Sequence, residues 1–467
     1  MLLVGKKASV NGSVLSAHND DLQGNHASLY EILERKTHTR ESFKGIKSDR
    51  SMPLTEETQR CLILKTWRGY GEGDAVAINE NMVSIAGGVD LGVDRNQKAA
   101  ELDPLIDGGV SGEARYRALQ SSKSARECVC QLGEMYSKYG VSYPSGVGVA
   151  DADECWYMEA GGGSSWAAIR VPDDSCLIQG NGYRIREVDP SDKKNYICSE
   201  GLLDFSRASG LWDPSKGEFD FSRIFGGHMA TKPDTQYLNT RRVWAAVMKL
   251  SPSSEWAPDL DRFPLFIKPD DKLTPMHMMS ILRDSFDNTE FEINPDMKLR
   301  NEERPIAVPS CVHTDVIELR GWLPAAIGGV IWGGIGSPNL TTYIPYYFGI
   351  DRIAAPFATG GPEYDECSAF WKYRALSSLV LLNYREYIKE VQNSLSFFEK
   401  KTMEDVTRVE NKLLEGYEDE QAIKVLSDFT SDRSKKSLEL IREIYGSLQT
   451  RVAKEMHLIF SRQGLEW

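Results

Sequence analysis

LLVGKKASVNGSVLSAHNDD, residues 2–21, is the stretch on which the reading of this chain turns. Two segments, LLVGKKAS and SVLSAHNDD, flank Asn11-Gly12. Asn-Gly is the strongest two-residue hairpin signal, because both central residues of the turn must tolerate positive φ. A hairpin centred there pairs residues whose numbers sum to about 23. The polar run His18-Asn19-Asp20-Asp21 then folds back beside the chain start. An imidazole, an amide and two carboxylates at an N-terminus suit one kind of chemistry, in which an N-terminal residue is the nucleophile and its own α-amine the base. Met1 cannot be that nucleophile.

Working outward, the 467 residues suffice for one large domain or two to three smaller ones. The apolar fraction of 41% and the charged fraction of 26% are those of a globular chain. A net charge of −13 disfavours nucleic acid and anionic membranes as partners. No apolar run reaches the roughly 20 residues of a membrane span; 323–335 comes nearest and is rich in glycine. Residues 1–4 are too short an apolar stretch for a signal peptide. The eight cysteines are scattered without a CxxC pair, which reads as free thiols in a reducing compartment rather than a metal site. A cytoplasmic location is therefore expected.

The pattern along the chain is α+β. Residues 1–90 are β-rich, with CLILKTWRGYGEGDAVAINENMVSIAGG alternating apolar and polar residues. Residues 112–139 carry helical spacing that ends before Gly140. Short strands follow in GVGVADADECWYMEA, SSWAAIRV and SCLIQGN. Helical signals and turns mix over 199–250, and IAVPSCVHTDVIELR, GGVIWGGIGSP and TTYIPYYF read as strands. From Cys367 the chain turns helical, with Leu438, Ile441, Ile444, Leu448 and Val452 on one face. This divides the chain into a 1–366 core and a 367–467 helical extension packed on it.

HExxH, Walker A and GxSxG motifs are absent, and GGVIWGGIG lacks the helix a dinucleotide fingerprint needs. Its glycines read instead as close backbone packing in a sheet. LLVGKKASVNGSVLSAHNDD resembles the opening of the dipeptidase A family, cysteine-type dipeptidases of the N-terminal nucleophile hydrolase superfamily. The resemblance continues through INENMVSIAGG, VGVADADECWYMEAGGGSSWAAIRVPDD, NGYRIREVD, GLWDPSKGEFDFSRIFG, YLNTRRVW, RPIAVPSCVHTDVIELR, YIPYYFGI and CSAFWKYR, nearly the whole chain. It implies a four-layer α-β-β-α sandwich and hydrolysis of dipeptides by an N-terminal cysteine thiolate. Members carry Cys-Thr just ahead of the Leu-Val-Gly-Lys-Lys strand. Here that strand opens Met1-Leu2-Leu3-Val4, so the cysteine belongs about two residues before Met1 in strand register. A start codon placed late, a trimmed chain and a natural inactive homologue each account for the difference.

The resemblance assigns roles to particular residues. Asp21 resembles the superfamily aspartate that orients the N-terminal amine; otherwise it is a strand-end carboxylate. His18 stands where many relatives place Arg and supplies positive charge only when protonated; otherwise it is a satisfied strand histidine. Asn181 resembles the asparagine whose amide faces the developing oxyanion, although Asn-Gly turn chemistry alone would explain it. Arg242, beside Arg241, resembles a superfamily arginine near the nucleophile; one of the pair is expected to point into the site and the other to solvent, and the sequence does not say which. Glu159 with Gly161, Gly162 and Gly163 forms a loop that would let a substrate backbone approach, or a plain sheet connection. Cys311 and His313 fall on one strand face by alternation and read as structural or pocket-lining. The expected enzyme is a dipeptidase of broad specificity that needs no metal or other cofactor. Its rivals are an amidase or acylase on the same scaffold and an inactive binding protein. A homo-oligomer is compatible with the sequence.

Overall fold

The structure, a computed structural model, describes residues 1–38, 42–44, 51–53, 56–68, 76–227, 239–292 and 303–462. Residues 69–75 of the first β-rich reading and Tyr237-Leu238 of YLNTRRVW lie outside them. Two antiparallel sheets carry the fold. The first, of seven strands, runs in the order Phe266–Ile267, Cys176–Ile178, Leu2–Val4 (β1), Val14–Asp20 (β2), His313–Leu319, Gly329–Ile335, Ile344–Tyr347. The second, of eight, runs Tyr196–Cys198, Trp166–Arg170, Cys155–Ala160, Ser145–Ala150, Ser84–Asp90, Val76–Asn79, Cys61–Thr66, Ser28–Leu33.

Alternation along the second sheet explains why its strands are apolar on both faces. Leu62, Leu64, Val76, Ile78, Cys155 and Tyr157 point to the large core shared with the first sheet. Cys61, Ile63, Ala77, Trp156 and Met158 point the other way, to a second cluster with Ala114, Val129, Leu132 and Tyr136. Those last four lie on helices Gly112–Leu119 and Ala125–Tyr139. The helical spacing over 112–139 resolves into these two helices: the first ends at Leu119, and Ser124 caps the second by accepting from the Glu127 amide. Gly140, at φ 78°, ends the second as expected.

The two sheets meet closely where side chains are missing. A Cβ on Gly148 would sit 2.6 Å from Met1 Sδ, and a Cβ on Gly87 would sit 2.5 Å from His18 Nε2. Gly333 likewise makes room for the Tyr30 hydroxyl, so the GGVIWGGIG glycines serve sheet packing, as read. Helices Ala369–Val380, Tyr384–Leu414 and Asp419–Arg462 form the helical C-terminal part. Ile441 and Leu448 from the expected stripe are buried, and Leu438, Ile444 and Val452 pack against the same core. Among the described residues no helix is long and apolar enough to cross a membrane.

The opening hairpin forms, but in a different register. Leu2 pairs with Ala17, Leu3 with Ser16 and Val4 with Leu15. The numbers sum to 19 rather than 23, so the connection is a long loop and not a two-residue turn. Asn11 Oδ1 accepts from the Ser13 amide and hydroxyl, an Asx turn, and only Gly12 takes positive φ. The rest of the loop is tied elsewhere: the Lys7 and Ala8 amides bond Asp173 O, and Val10 bonds Leu273 O. These distant partners are what the local pattern could not show.

Candidate active site

The register brings Met1 beside His18 on one side and Gln179 on the other. The α-amine donates to Gln179 O at 2.9 Å, and the Gln179 amide donates to Met1 O at 2.9 Å. Asn181 is two residues further on, at the same end of the sheet. Its Nδ2 donates to Asp90 O at 3.2 Å, and its Oδ1 accepts from Arg242. Arg242, on helix Thr240–Leu250, also pairs with Asp21 at 3.5 Å. Asp21, Asn181 and Arg242, from three separate stretches, therefore converge at the sheet end where the chain starts.

Two residues the sequence reading did not assign to the site join them. Arg304 pairs with Asp21 Oδ2 at 3.3 Å, and the Cys311 thiol donates to Asp21 Oδ1. Both lie in the RPIAVPSC run, which carried the family resemblance but offered no local signal for either role. Burial, and then the Asp21 charge, push the Cys311 thiol well above its ordinary range. It is thus a proton donor to Asp21 and a poor nucleophile. Burial and the nearby Arg304 lower the Arg242 guanidinium to about 10 against the pull of Asp21.

Arg241 points away. Its guanidinium stacks 3.7 Å from the Phe291 ring centroid, pairs with Glu303 at 3.4 Å and donates to Pro258 O. Successive helix positions diverge by about 100°, which decides that Arg242 faces Asp21. His18 leaves the group as well. Asn19 and Asp21 face the helices, with Asn19 Nδ2 donating to Leu282 O and Ile306 O. His18, one step out of phase, faces the second sheet, with Nδ1 3.6 Å from Asp315 Oδ1. His313 also faces that way, with Nδ1 3.0 Å from Ser28 Oγ. Cys311 precedes the strand that begins at His313, so the two side chains do not share a face as alternation suggested. Burial and the neighbouring His18 hold the His313 imidazole well below its ordinary value, while burial raises Asp315.

The glycine loop does not line this site. A Cβ on Gly161 would meet the Phe225 ring, one on Gly162 the Asp103 carboxylate and one on Gly163 the Pro104 carbonyl. The Asp103 carboxylate in turn holds the Ser164 and Ser165 amides. Close backbone approach is real here, but the partner is the chain itself. Glu159 is buried and accepts from the Arg184 and Ile185 amides, which fixes the segment following Asn181. Burial outweighs those donors and lifts its carboxyl to about 8.

The sequence profile described as Peptidase family C69 matches residues 1–396. A relative named "Probable dipeptidase" from Salmonella dublin is 30% identical over 372 residues, 77% of this chain and 83% of its own. A "Probable dipeptidase" from Latilactobacillus sakei is 28% identical over 390 residues, 82% of this chain and 81% of its own. A "Probable dipeptidase B" from Lactococcus lactis subsp. lactis (strain IL1403) is 26% identical over 476 residues, 98% and 96% of the two chains. The match spans the β1–β2 hairpin, the Asn181 segment and the Arg242 helix, and this chain belongs to peptidase family C69.

Proposed function

We propose that this chain is the body of a dipeptidase of broad specificity whose nucleophile is an N-terminal cysteine carried just ahead of Met1. The observation that carries the reading is the contact set Asp21–Arg242–Asn181 at the sheet end where β1 begins. If β1 continued in register, a residue two positions before Met1 would face Asp20 on β2 and Asn181 across the other edge. That residue would lie next to Asp21. An α-amine there titrates near about 7.7–8.0 and can take the proton of an adjacent thiol at neutral pH. Asp21 holds the ammonium form and orients it. The thiolate attacks the peptide carbonyl carbon, and the carbonyl π pair moves to oxygen. Asn181 Nδ2 has a second N–H beyond the one given to Asp90 O, and it donates to that oxyanion. Arg242 fixes the amide by holding Oδ1 and keeps positive charge beside the developing negative oxygen.

Collapse expels the amine, which takes its proton from the α-ammonium. Water then releases the acyl group by the reverse sequence. The four-layer α-β-β-α arrangement, and the division into a 1–366 core and a 367–467 extension, belong to the same reading. So do dipeptides as substrates. The test is a panel of dipeptides set against acylated amino acids, run on a form preceded by Cys-Thr and on the form starting at Met1. Thiol-dependent dipeptide hydrolysis confined to the first form is expected. Preference for acylated amino acids would favour an amidase, and equal hydrolysis by the Met1 form would refute the mechanism.

A further inference from the structure

On the opposite face of β2 from Asp21 lies a group that the proposed chemistry does not use. His18 on β2 sits across from Asp315, and His313 across from Asp20, all buried between the sheets. His18 is 4% exposed, and His313 and Asp315 are 0% exposed. Each of the three offers a ligand atom within 4.8 Å of the other two, the one such trio among the described residues. His18 Nδ1, His313 Nε2 and both Asp315 oxygens make no hydrogen bond. Buried polar atoms without partners are costly, and four in one place call for a ligand.

We propose that His18, His313 and Asp315 hold one divalent transition-metal ion of the zinc class between the two sheets. Donors at about 2.0–2.1 Å from a tetrahedral ion stand about 3.3–3.5 Å apart. The 3.6 Å between His18 Nδ1 and Asp315 Oδ1 is too long for a good hydrogen bond and close to that edge length. His313 Nδ1 is 3.0 Å from Ser28 Oγ; donating its N–H there leaves Nε2 as the free lone pair. That is the outer-shell bond which fixes the tautomer of metal-bound histidines. Two imidazoles and one carboxylate suit zinc, cobalt or nickel, whereas magnesium and calcium take oxygen shells. A proton shared by His18 and Asp315 would leave His313 Nε2 and the second carboxylate oxygen unsatisfied. One ion engages all three side chains. Because the group is enclosed, the ion would enter as the chain folds and would tie β2 to the His313–Leu319 strand. This inference does not depend on the dipeptidase reading.

The experiment is metal analysis of the full chain, expressed with added zinc and desalted without chelator. It is accompanied by cobalt substitution and by His18→Arg, Asp315→Asn and His313→Gln variants. One zinc per chain is expected, with a tetrahedral cobalt spectrum free of thiolate charge-transfer, which excludes the eight cysteines. Each variant should weaken binding by at least about 100-fold. His18→Arg places a guanidinium beside Asp315 and should keep the fold by circular dichroism, so its loss of metal is not a folding failure. A wild-type chain without stoichiometric zinc, a thiolate cobalt spectrum, or full metal retention in the folded His18→Arg chain would overturn the proposal.

Discussion

The two faces of β2 differ more than their sequence adjacency suggests. On the helix face, the Asp21 carboxylate meets Arg242, Arg304 and the Cys311 thiol, so its charge and lone pairs are answered. On the sheet face, one residue out of phase, His18, His313 and Asp315 stand buried with unpaired atoms. His18-Asn19-Asp20-Asp21 reads as one polar cluster in the sequence, but a strand splits it by its two-residue period. A carboxylate set among two guanidinium groups and a thiol at the end of the strand fits the proposed aspartate that orients an amine. The trio is only partly answered, by Ser28 on His313 and by the long His18–Asp315 contact, which leaves room for the proposed ion.

Predictions that break this contrast run from large to small. The largest effect comes from the chain start: a leading Cys-Thr should raise dipeptide turnover over the Met1 form by roughly 10⁴- to 10⁶-fold, the usual cost of a missing nucleophile. Steady-state rates on both forms measure it, and a ratio near one refutes the N-terminal thiol mechanism. In the Cys-Thr form, Asn181→Ala should lower kcat by about 10²–10³, the usual loss of one oxyanion donor, with KM little changed. Arg242→Ala should fall in the same range, because Asn181 Oδ1 loses its anchor. If either variant changed KM alone, the residue would be binding substrate rather than stabilising charge.

A subtler effect concerns Glu159. Its carboxyl stands at about 8 in the fold against an ordinary 4.5, so folding favours the protonated form. The stability it contributes is full below about 4.5 and is lost as pH rises through about 8. Urea midpoints at about pH 5 and about pH 8.5 should fall more steeply with pH for the wild type than for Glu159→Gln. Parallel slopes would show that Glu159 is ionised when buried. The smallest effect belongs to Arg241→Ala. Loss of stacking on Phe291 should cost about 1 kcal/mol, read from urea denaturation, while kcat keeps its wild-type value. A large fall in kcat would mean that the arginine pair has been assigned the wrong way round.

The sequence made the hairpin, the strand-rich first half and the helical end legible, because each rests on local periodicity or turn chemistry. It misplaced the hairpin register by four in the pairing sum, since the 5–13 loop is held by Asp173 and Leu273, far along the chain. The motifs around Asp21 and Asn181 pointed to a shared neighbourhood, and Arg242 does link the two side chains. Which arginine faced Asp21 was not, because that depends on how helix Thr240–Leu250 is rotated against the sheet. Cys311 and Arg304 were invisible as partners of Asp21 for a similar reason, since loop geometry brings them there. The glycine loop misled, because a need for close backbone approach does not say what approaches.

The central claim is that the Asp21–Arg242–Asn181 set serves a thiol at the chain start and not the Cys311 thiol that touches Asp21. Labelling with a chloromethyl ketone of a dipeptide-like acid, followed by peptide mass spectrometry, tests it most directly on the Cys-Thr form. One adduct on the N-terminal cysteine, with Cys311 unmodified and the Met1 form unlabelled, is the predicted result. An adduct on Cys311 that tracks loss of activity would contradict it.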